Sequence, residues 1–228
     1  MKPTKEFKKQ FEAIKSQLPE QWKAFKVVRN DKGSHPITYK DIECAFATAV
    51  LDLPQGSNIL NVGSYTQYIV GLLSNYNITT LDVREREAFL DNELVIAGDI
   101  KNAPLANGTF DAIISLSSIE HFGLGRYGDE LDIEADKKAF ERFKLLLKPN
   151  GLLIFTTTIR QGGPELCFNA HKTYTKDIIY DFCFGLELVT ETFVKKNSLT
   201  LCEENDITNI PKEWDIYCGC WCKNERVL

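Results

Sequence analysis

The sequence has no excess of positive charge and no long apolar run. Lysine and arginine total 27 against 32 aspartates and glutamates, a net charge of -5, and this balance argues against a protein that coats nucleic acid phosphates. The longest apolar stretch, residues 44–53, is interrupted by Thr48 and Asp52 and is far shorter than the roughly 20 residues of a membrane span. We therefore expect a small-molecule substrate, no nucleic acid partner and no membrane span.

Export signals and a disulfide framework are also missing. Residues 1–9 are rich in lysine and lead into an amphipathic pattern rather than an apolar core, so the sequence predicts no secretory signal and a cytoplasmic location. The seven cysteines have no spacing typical of disulfide or metal frameworks. Cys218, Cys220 and Cys222 alternate along a predicted strand, a spacing that favours small apolar groups packed on one face.

The length fits one compact α/β domain with an N-terminal extension. Apolar residues at helical spacing predict an amphipathic helix over residues 4–18, and a second helix is expected over 39–51. Turn-forming residues 30–36 predict a loop between these helices. We expect residues 1–54 to form a helical lid or brace and residues 55–228 to form the main domain.

The pattern changes at Asn58 to short β-branched and apolar runs that alternate with helical segments. This alternation is typical of repeated βα units in a largely parallel sheet. Seven strands are predicted, at residues 58–62, 78–82, 93–97, 111–116, 151–157, 186–194 and 214–222. A helix over 134–147 is expected to end at a turn formed by residues 148–151.

The residues that end the first three strands predict a nucleoside site, because ligands of open α/β sheets bind outside the carboxyl ends of the strands. Gly63 allows a close turn after the first strand. Asp82 ends the second strand, where a carboxylate can accept from both ribose hydroxyls, and Asp99 follows the third, near an adenine amine. Tyr65 and Gln67 stand where a dinucleotide loop needs glycine to hold a pyrophosphate. S-adenosylmethionine has no phosphate and fits this loop better.

Five successive segments resemble the motifs of class I methyltransferases, which use S-adenosylmethionine. These segments are residues 58–68, 80–84, 98–100, 110–116 and 147–152. The resemblance implies a Rossmann-like fold, a mostly parallel sheet of strand order 3-2-1-4-5-7-6 with the last strand antiparallel. It also implies cofactor contacts from a set of strand-end residues: Asn61, Gly63, Ser64, Asp82, Asp99, Ile100, Leu116 and Ser117. Asn61 replaces the acidic residue usual in the family, so this position supplies no charge.

Two further segments carry the hypotheses about the acceptor. Residues 123–129 read Gly-Leu-Gly-Arg-Tyr-Gly-Asp and residues 168–171 read Phe-Asn-Ala-His. Both resemble a little-characterised methyltransferase-like family whose members are often associated with sugar or surface-glycan genes. The resemblance implies a sugar-like or phosphorylated acceptor, and methylation of an oxygen is expected. The candidate acceptor-binding residues are Arg126, Tyr127, Asn169 and Tyr174, with Tyr39 and Arg160 as secondary candidates.

Arg126 has two interpretations. An arginine among glycines can clamp a phosphate or carboxylate of the acceptor in bidentate fashion. It can equally pair with Asp129 or Glu130 and pin its own loop.

Glu120, His121 and His171 are the candidate catalytic residues. The two histidines follow the fourth and fifth strands, and histidine is the natural base near neutral pH for a hydroxyl acceptor that must lose its proton. A structural Glu120-His121 pair is an open alternative. A partial divalent metal shell made of the three side chains is the lesser hypothesis, so no metal ligand is assigned.

Two other functions compete with a methyltransferase. A non-catalytic methyltransferase-like subunit or regulator would keep the fold without the reaction, and Asn61 with the glycine-poor first loop favours this alternative. A nicotinamide-dependent reductase is disfavoured, because the phosphate-binding glycines and a suitably placed Tyr-x-x-x-Lys pair are missing.

Overall fold

The computed structural model describes residues 5–16 and 37–224 of the chain. The chain divides into two compact units at the bond between Pro36 and Ile37. In the first unit, helix α1 (Lys5–Ser16) lies within the predicted first helix. The predicted loop of residues 30–36 lies outside the described residues.

The second unit is built around a sheet. In chain order its strands are β1 (Asn58–Val62), β2 (Asn77–Asp82), β3 (Glu93–Ala97), β4 (Phe110–Leu116), β5 (Leu147–Ile159), β6 (Glu165–Cys167), β7 (His171–Thr173), β8 (Glu187–Val194), β9 (Leu201–Cys202) and β10 (Asp215–Cys222). Eight of them form one sheet of order β3-β2-β1-β4-β5-β10-β8-β9, and β6 pairs with β7 separately. Strands β1 to β5 are parallel, whereas β10 is antiparallel to both of its neighbours.

The predicted α/β fold and strand order are confirmed, with β8 and β10 as the predicted sixth and seventh strands. The predicted count of seven is wrong by one edge strand. Strand β9 pairs antiparallel with the end of β8, opposite Phe193 and Val194. A strand of two residues is too short to show an alternating pattern in the sequence.

The start of β5 also differs from the prediction, because residues 148–151 continue a strand rather than separate a helix from one. The Asn150 amide donates to the Lys223 carbonyl at 2.6 Å, and the Lys223 amide donates to the Gly151 carbonyl at 3.0 Å. These bonds join segments that are distant in the sequence. Local turn chemistry therefore could not reveal the pairing.

Four helices cover the sheet: α2 (Tyr39–Val50), α3 (Thr66–Leu72), α4 (Ala135–Leu146) and α5 (Lys176–Phe182). Helix α2 begins with a reciprocal capping box between Thr38 and Asp41. It packs against β4, β5 and β10 and belongs to the same compact unit as the sheet. Within the described residues, no helix is both long and apolar enough to cross a membrane.

The core has two layers, one on each face of the sheet. On one face, Phe140 of α4 packs against Phe155 of β5 with ring centroids 5.1 Å apart. On the other face, the buried Cys218 and Cys220 of β10 pack with apolar side chains that include those of α2. Cys218 and Cys220 are thus small apolar groups beneath a helix, whereas Cys222 is partly exposed and belongs to neither cluster. This arrangement leaves the carboxyl edge of the parallel strands open to ligands.

Candidate functional site

A cleft lies at the carboxyl ends of β1, β2, β3 and β4. Its empty space, including solvent at the open mouth, measures about 670 Å³. Its wall includes these residues singled out from the sequence: Gly63, Asp82, Asp99, Ile100, Ser117, His121 and Tyr127. The sheet topology therefore brings the predicted nucleoside residues and one predicted catalytic histidine to a single cavity.

Gly63 forms the sharp turn after β1. Its φ is +66°, and a Cβ atom built on it would lie 2.3 Å from Oγ of Ser118. A side chain at this position would clash with the segment after β4 and project toward the cleft wall. The glycine thus lets two strand ends approach each other closely beside the cavity.

Asp82 ends β2 and is held by Arg84. The Arg84 side chain donates to Oδ1 at 2.9 Å and to Oδ2 at 2.7 Å, and the Arg84 backbone amide donates to Oδ1 at 2.9 Å. Burial opposes ionisation, but these hydrogen bonds and the charge of Arg84 lower the pKa of Asp82 below its ordinary value. Asp82 is therefore a charged acceptor on the cleft wall, and its side-chain partner is itself largely exposed.

Asp99 follows β3 and closes the next part of the wall. Its Oδ1 accepts from the Lys101 amide at 2.9 Å, and its Oδ2 lies 3.4 Å from Lys101 Nζ. The adjacent Ile100 is buried and lines the cleft. One polar and one apolar group thus stand side by side, as a purine base requires of its site.

Asn61, Ser64 and Leu116 lie beneath the cleft and do not line it. The Ser64 amide donates to Oδ1 of Asn61 at 3.2 Å, and the Leu116 amide donates to Oγ of Ser64 at 3.0 Å. All three residues are buried. In this structure they tie the loop after β1 to the end of β4.

His121 joins the two loops that the sequence analysis connected with the acceptor. Its Nδ1 lies 2.5 Å from the Ala170 carbonyl oxygen, and because a carbonyl only accepts, Nδ1 carries the proton. Nε2 of the neutral ring then keeps a free lone pair, 4.0 Å from Oε1 of Glu120. Burial lowers the pKa of His121, and the charge of Arg126 acts in the same direction. The ring is therefore a neutral base in the cleft wall.

Glu120 is buried behind His121, and its Oε2 accepts from Oγ1 of Thr157 at 3.1 Å. Burial raises the pKa of Glu120 to about 7, and the nearby charge of Glu43 contributes to the increase. Glu120 is close to half ionised at neutral pH, although it does not line the cleft.

Glu43 is a polar residue of the site that sequence reasoning missed. This α2 carboxylate is fully buried, accepts a hydrogen bond from Oγ of Ser117 and lies 3.3 Å from Lys40 Nζ. A carboxylate one turn after Tyr39 and one turn before the buried Ala47 lies on the apolar face of the helix. This position could have indicated a buried carboxylate with a polar partner, because glutamate is almost never fully buried without one.

Of the remaining candidates, Tyr127 lines the cleft and the others do not. His171 stands at the start of β7 with its ring 5.8 Å from that of Trp214, and it does not line the cleft. Arg126 and Asn169 are exposed. The Tyr127 ring lies 5.8 Å from that of His121.

Two predicted acceptor-wall residues are buried instead. The Tyr174 hydroxyl donates to Oδ2 of Asp136 at 2.7 Å inside the core. Arg160 donates to the carbonyls of Gly163 and Asn209. The structure therefore gives both side chains internal partners away from the cleft.

The loop of residues 123–129 is fixed by Asp129. Its carboxylate accepts from the amides of Gly125 and Tyr127, each at 3.2 Å. Within residues 37–224, Arg126 has no ion-pair partner, so it does not pin the loop through Asp129 or Glu130.

No group of three or more histidine, cysteine, aspartate or glutamate side chains in the described part of the chain is arranged to hold a metal ion. The hypothesis of a partial metal shell around Glu120, His121 and His171 gains no support from this geometry.

The sequence matches a family model described as Caenorhabditis protein of unknown function, DUF268, over residues 80–208. The match covers more than half of the chain and includes both loops joined by His121, and the chain belongs to this family. No curated protein matches the sequence.

Solved structures with similar folds include methyltransferases and a cyclase. The Burkholderia thailandensis 1,6-didemethyltoxoflavin-N1-methyltransferase, with S-adenosylhomocysteine bound, is 13% identical with a TM-score of 0.62, covering 96% of this chain and 86% of that one. The N-methyltransferase NodS from Bradyrhizobium japonicum WM9, in complex with S-adenosylhomocysteine, is 15% identical with a TM-score of 0.57, covering 95% and 98%. The [4+2]-cyclase SpnF is 14% identical with a TM-score of 0.60, covering 85% of each chain. The chain thus has the class I methyltransferase fold, a fold that also carries another reaction.

Proposed function

We propose that this member of the DUF268 family is an S-adenosylmethionine-dependent methyltransferase that acts on a hydroxyl of a small polar acceptor. The observation that carries the proposal is the meeting of Gly63, Asp82 and Asp99 in one cleft with the neutral imidazole of His121. A nucleoside site beside a positioned base is what methyl transfer to a hydroxyl requires.

The cleft residues fit the proposed cofactor. Asp82 is a charged acceptor suited to ribose hydroxyls, Asp99 and Ile100 combine a polar and an apolar contact for adenine, and Gly63 keeps the turn free of a side chain. When bound, S-adenosylmethionine supplies a methyl group on a positively charged sulfur and leaves as S-adenosylhomocysteine. The absence of the phosphate-binding glycines agrees with a cofactor that has no phosphate.

His121 is proposed as the general base. Its Nδ1 donates to Ala170, so Nε2 can accept the acceptor's proton as the oxygen takes the methyl group. Glu120, 4.0 Å from Nε2, then stabilises the imidazolium by its negative charge. His171 is proposed to contact the acceptor from the other side of the 168–171 turn.

The proposed acceptor class rests on the resemblance of residues 123–129 and 168–171 to a methyltransferase-like family that is often associated with sugar or surface-glycan genes. A sugar-like or phosphorylated metabolite of surface-glycan biosynthesis is proposed, methylated in the cytoplasm, with Arg126, Tyr127 and Asn169 as contacts. The exposure of all three side chains near the cleft supports this assignment. Tyr174 is not retained, because its hydroxyl is buried against Asp136.

A non-catalytic methyltransferase-like subunit or regulator is the second candidate. Arg84 occupies both carboxylate oxygens of Asp82, and Asn61 brings no charge to the first loop. Both observations favour weak cofactor binding, as a protein that keeps only the fold would show.

Calorimetry of the full chain with S-adenosylmethionine, S-adenosylhomocysteine and NAD in parallel tests the proposal. We expect micromolar binding of the two adenosyl compounds and none of NAD. The reverse result would overturn it. Methyl transfer from labelled S-adenosylmethionine to a panel of sugars, sugar phosphates and sugar acids then separates the two candidates, since binding without transfer to any acceptor favours the non-catalytic one.

A further inference from the structure

Trp214 is the centre of a polar and aromatic cluster on the side of the carboxyl edge away from the nucleoside residues. It directly precedes β10, and its half-buried ring meets side chains from three other segments. The Tyr39 and His171 rings contact it edge-on, each with a centroid distance of 5.8 Å. Lys196, two residues after β8, holds its Nζ 3.9 Å from the centroid of the indole ring.

The cluster is positively charged. Within residues 37–224, neither Lys196 nor Arg126 has an ion-pair partner. Burial lowers the pKa of His171, and the charges of Lys196 and Arg126 lower it further, so both cations act on the same ring. The side-chain carboxylate of Asp215, the residue after Trp214, already accepts from Lys195 Nζ at 2.9 Å and from the Lys196 amide at 3.1 Å.

In the nucleoside half of the site the carboxylates of Asp82 and Asp99 already have cationic neighbours, Arg84 and Lys101. Cations beside that half that have no ion-pair partner among the described residues favour an anionic group of the second ligand. Lysine and arginine are the usual partners of phosphate and carboxylate groups. The aromatic walls of Tyr39 and Trp214 suit the apolar face of a ring.

We propose that Lys196, Trp214, Tyr39, His171 and Arg126 form an anion subsite that binds the acceptor through a phosphate or carboxylate on a ring-shaped, hydroxyl-bearing body. This inference rests on the proposed function and names its acceptor class. Anchoring the anion at Lys196 and Arg126 holds a hydroxyl of the ring toward the histidines, while His121 remains the group that faces the cleft. The site therefore selects sugar phosphates or sugar acids over neutral sugars.

The test uses the full chain saturated with S-adenosylhomocysteine. Calorimetric titrations with glucose 6-phosphate, glucuronate, inorganic phosphate and neutral glucose distinguish the anionic groups from each other and from the ring alone. We expect at least one anionic sugar to bind at millimolar concentration and glucose not to bind. Lys196→Gln should weaken that binding about tenfold, as loss of one charge-assisted contact does. Lys137→Gln, an exposed lysine of α4, removes the same charge elsewhere and should leave binding unchanged.

A second measurement does not depend on which sugar or anion is titrated. NMR titration of the histidine ring protons should show a higher pKa for His171 in Lys196→Gln than in wild type, because a neighbouring positive charge is gone. Equal binding of glucose and the anions, no anion binding, or equal effects of Lys196→Gln and Lys137→Gln would overturn the subsite. S-adenosylhomocysteine binding, measured first on each protein, reports folding. If wild type does not bind S-adenosylhomocysteine, the proposed function is overturned. The same anion titrations on the unliganded chain then still decide the subsite.

Discussion

Nδ1 of His121 lies 2.5 Å from the carbonyl oxygen of Ala170, so one hydrogen bond joins the segment after β4 to the turn before β7. This contact fixes which ring nitrogen carries the proton. It leaves Nε2 without a proton, so this nitrogen can accept one beside Glu120. The chemistry proposed for the cleft therefore depends on a bond between segments 49 residues apart.

Replacement of His121 tests the general base. His121→Ala should lower turnover by about 10²- to 10⁴-fold and leave S-adenosylhomocysteine affinity nearly unchanged. Because burial lowers the pKa of His121, wild-type kcat/KM should rise with pH through an apparent pKa below the ordinary histidine value. His171→Ala should instead raise the acceptor KM. Near-normal turnover of His121→Ala would assign the ring a structural role.

Glu120 should make stability depend on pH. Its pKa in the folded protein is raised to about 7 from 4.5, so its contribution is fully present below pH 4.5 and is lost as pH rises to about 7. The loss amounts to roughly 3 kcal/mol. Glu120→Gln cannot ionise, so its urea unfolding free energy should gain about this amount relative to wild type between pH 4 and pH 8. Parallel pH curves for the two proteins would contradict the burial effect, and exposed Glu141→Gln controls for the removal of one carboxylate.

Gly63 should not tolerate a side chain. Gly63→Ala forces a Cβ to within 2.3 Å of Ser118 Oγ and requires φ of +66°, a left-handed backbone that alone costs roughly 1–2 kcal/mol. We expect loss of stability in thermal melts and loss of S-adenosylhomocysteine binding. Gly71→Ala is the control, since a Cβ there meets nothing within 4 Å and alanine favours a helix by about 0.5–1 kcal/mol. Equal melting temperatures of the two variants would refute the steric argument.

Asp82 should contribute to cofactor affinity. Asp82→Asn should weaken S-adenosylhomocysteine binding roughly ten- to a hundredfold, the value of a charge-assisted hydrogen bond. Arg84→Ala should bind at least as tightly as wild type, because the ribose no longer competes with the guanidinium. Asp111→Asn is the matched control, since Asp111 pairs with Lys148 at 2.8 Å at the start of β4. It should lose stability but not affinity, and unchanged binding by Asp82→Asn would remove Asp82 from the site.

Tyr174 should matter for stability and not for acceptor binding. Tyr174→Phe removes the hydroxyl that donates to Asp136 at 2.7 Å, a bond to a charged group worth about 1.5–3 kcal/mol. Lys172 lies 2.8 Å from the same carboxylate oxygen. It still partners Asp136 in the variant and so limits the loss of stability. Urea unfolding should show the loss while kcat/KM stays unchanged. A changed acceptor KM would return Tyr174 to the acceptor wall.

Local sequence patterns were sufficient to predict most of the helices and strands and their order. Alternation with period two and helical spacing are local properties, so strands β1 to β4 and helices α2 and α4 were predicted to within a few residues. The residues that end these strands then followed from strand position alone. Gly63, Asp82 and Asp99 could be identified because parallel strands present their carboxyl ends at one edge.

Which side chains meet could be seen only in the folded protein. Glu43 accepts from Ser117 across 74 residues of sequence, Tyr174 donates to Asp136 in the core, and Lys196 stands over Trp214. No local pattern contains these pairs, because each joins segments that are distant in the sequence and meet only when the helices and strands pack together. Burial then shifts the pKa of Glu120, and the Ala170 carbonyl sets the proton position on His121, since both depend on surroundings and partners rather than on residue type.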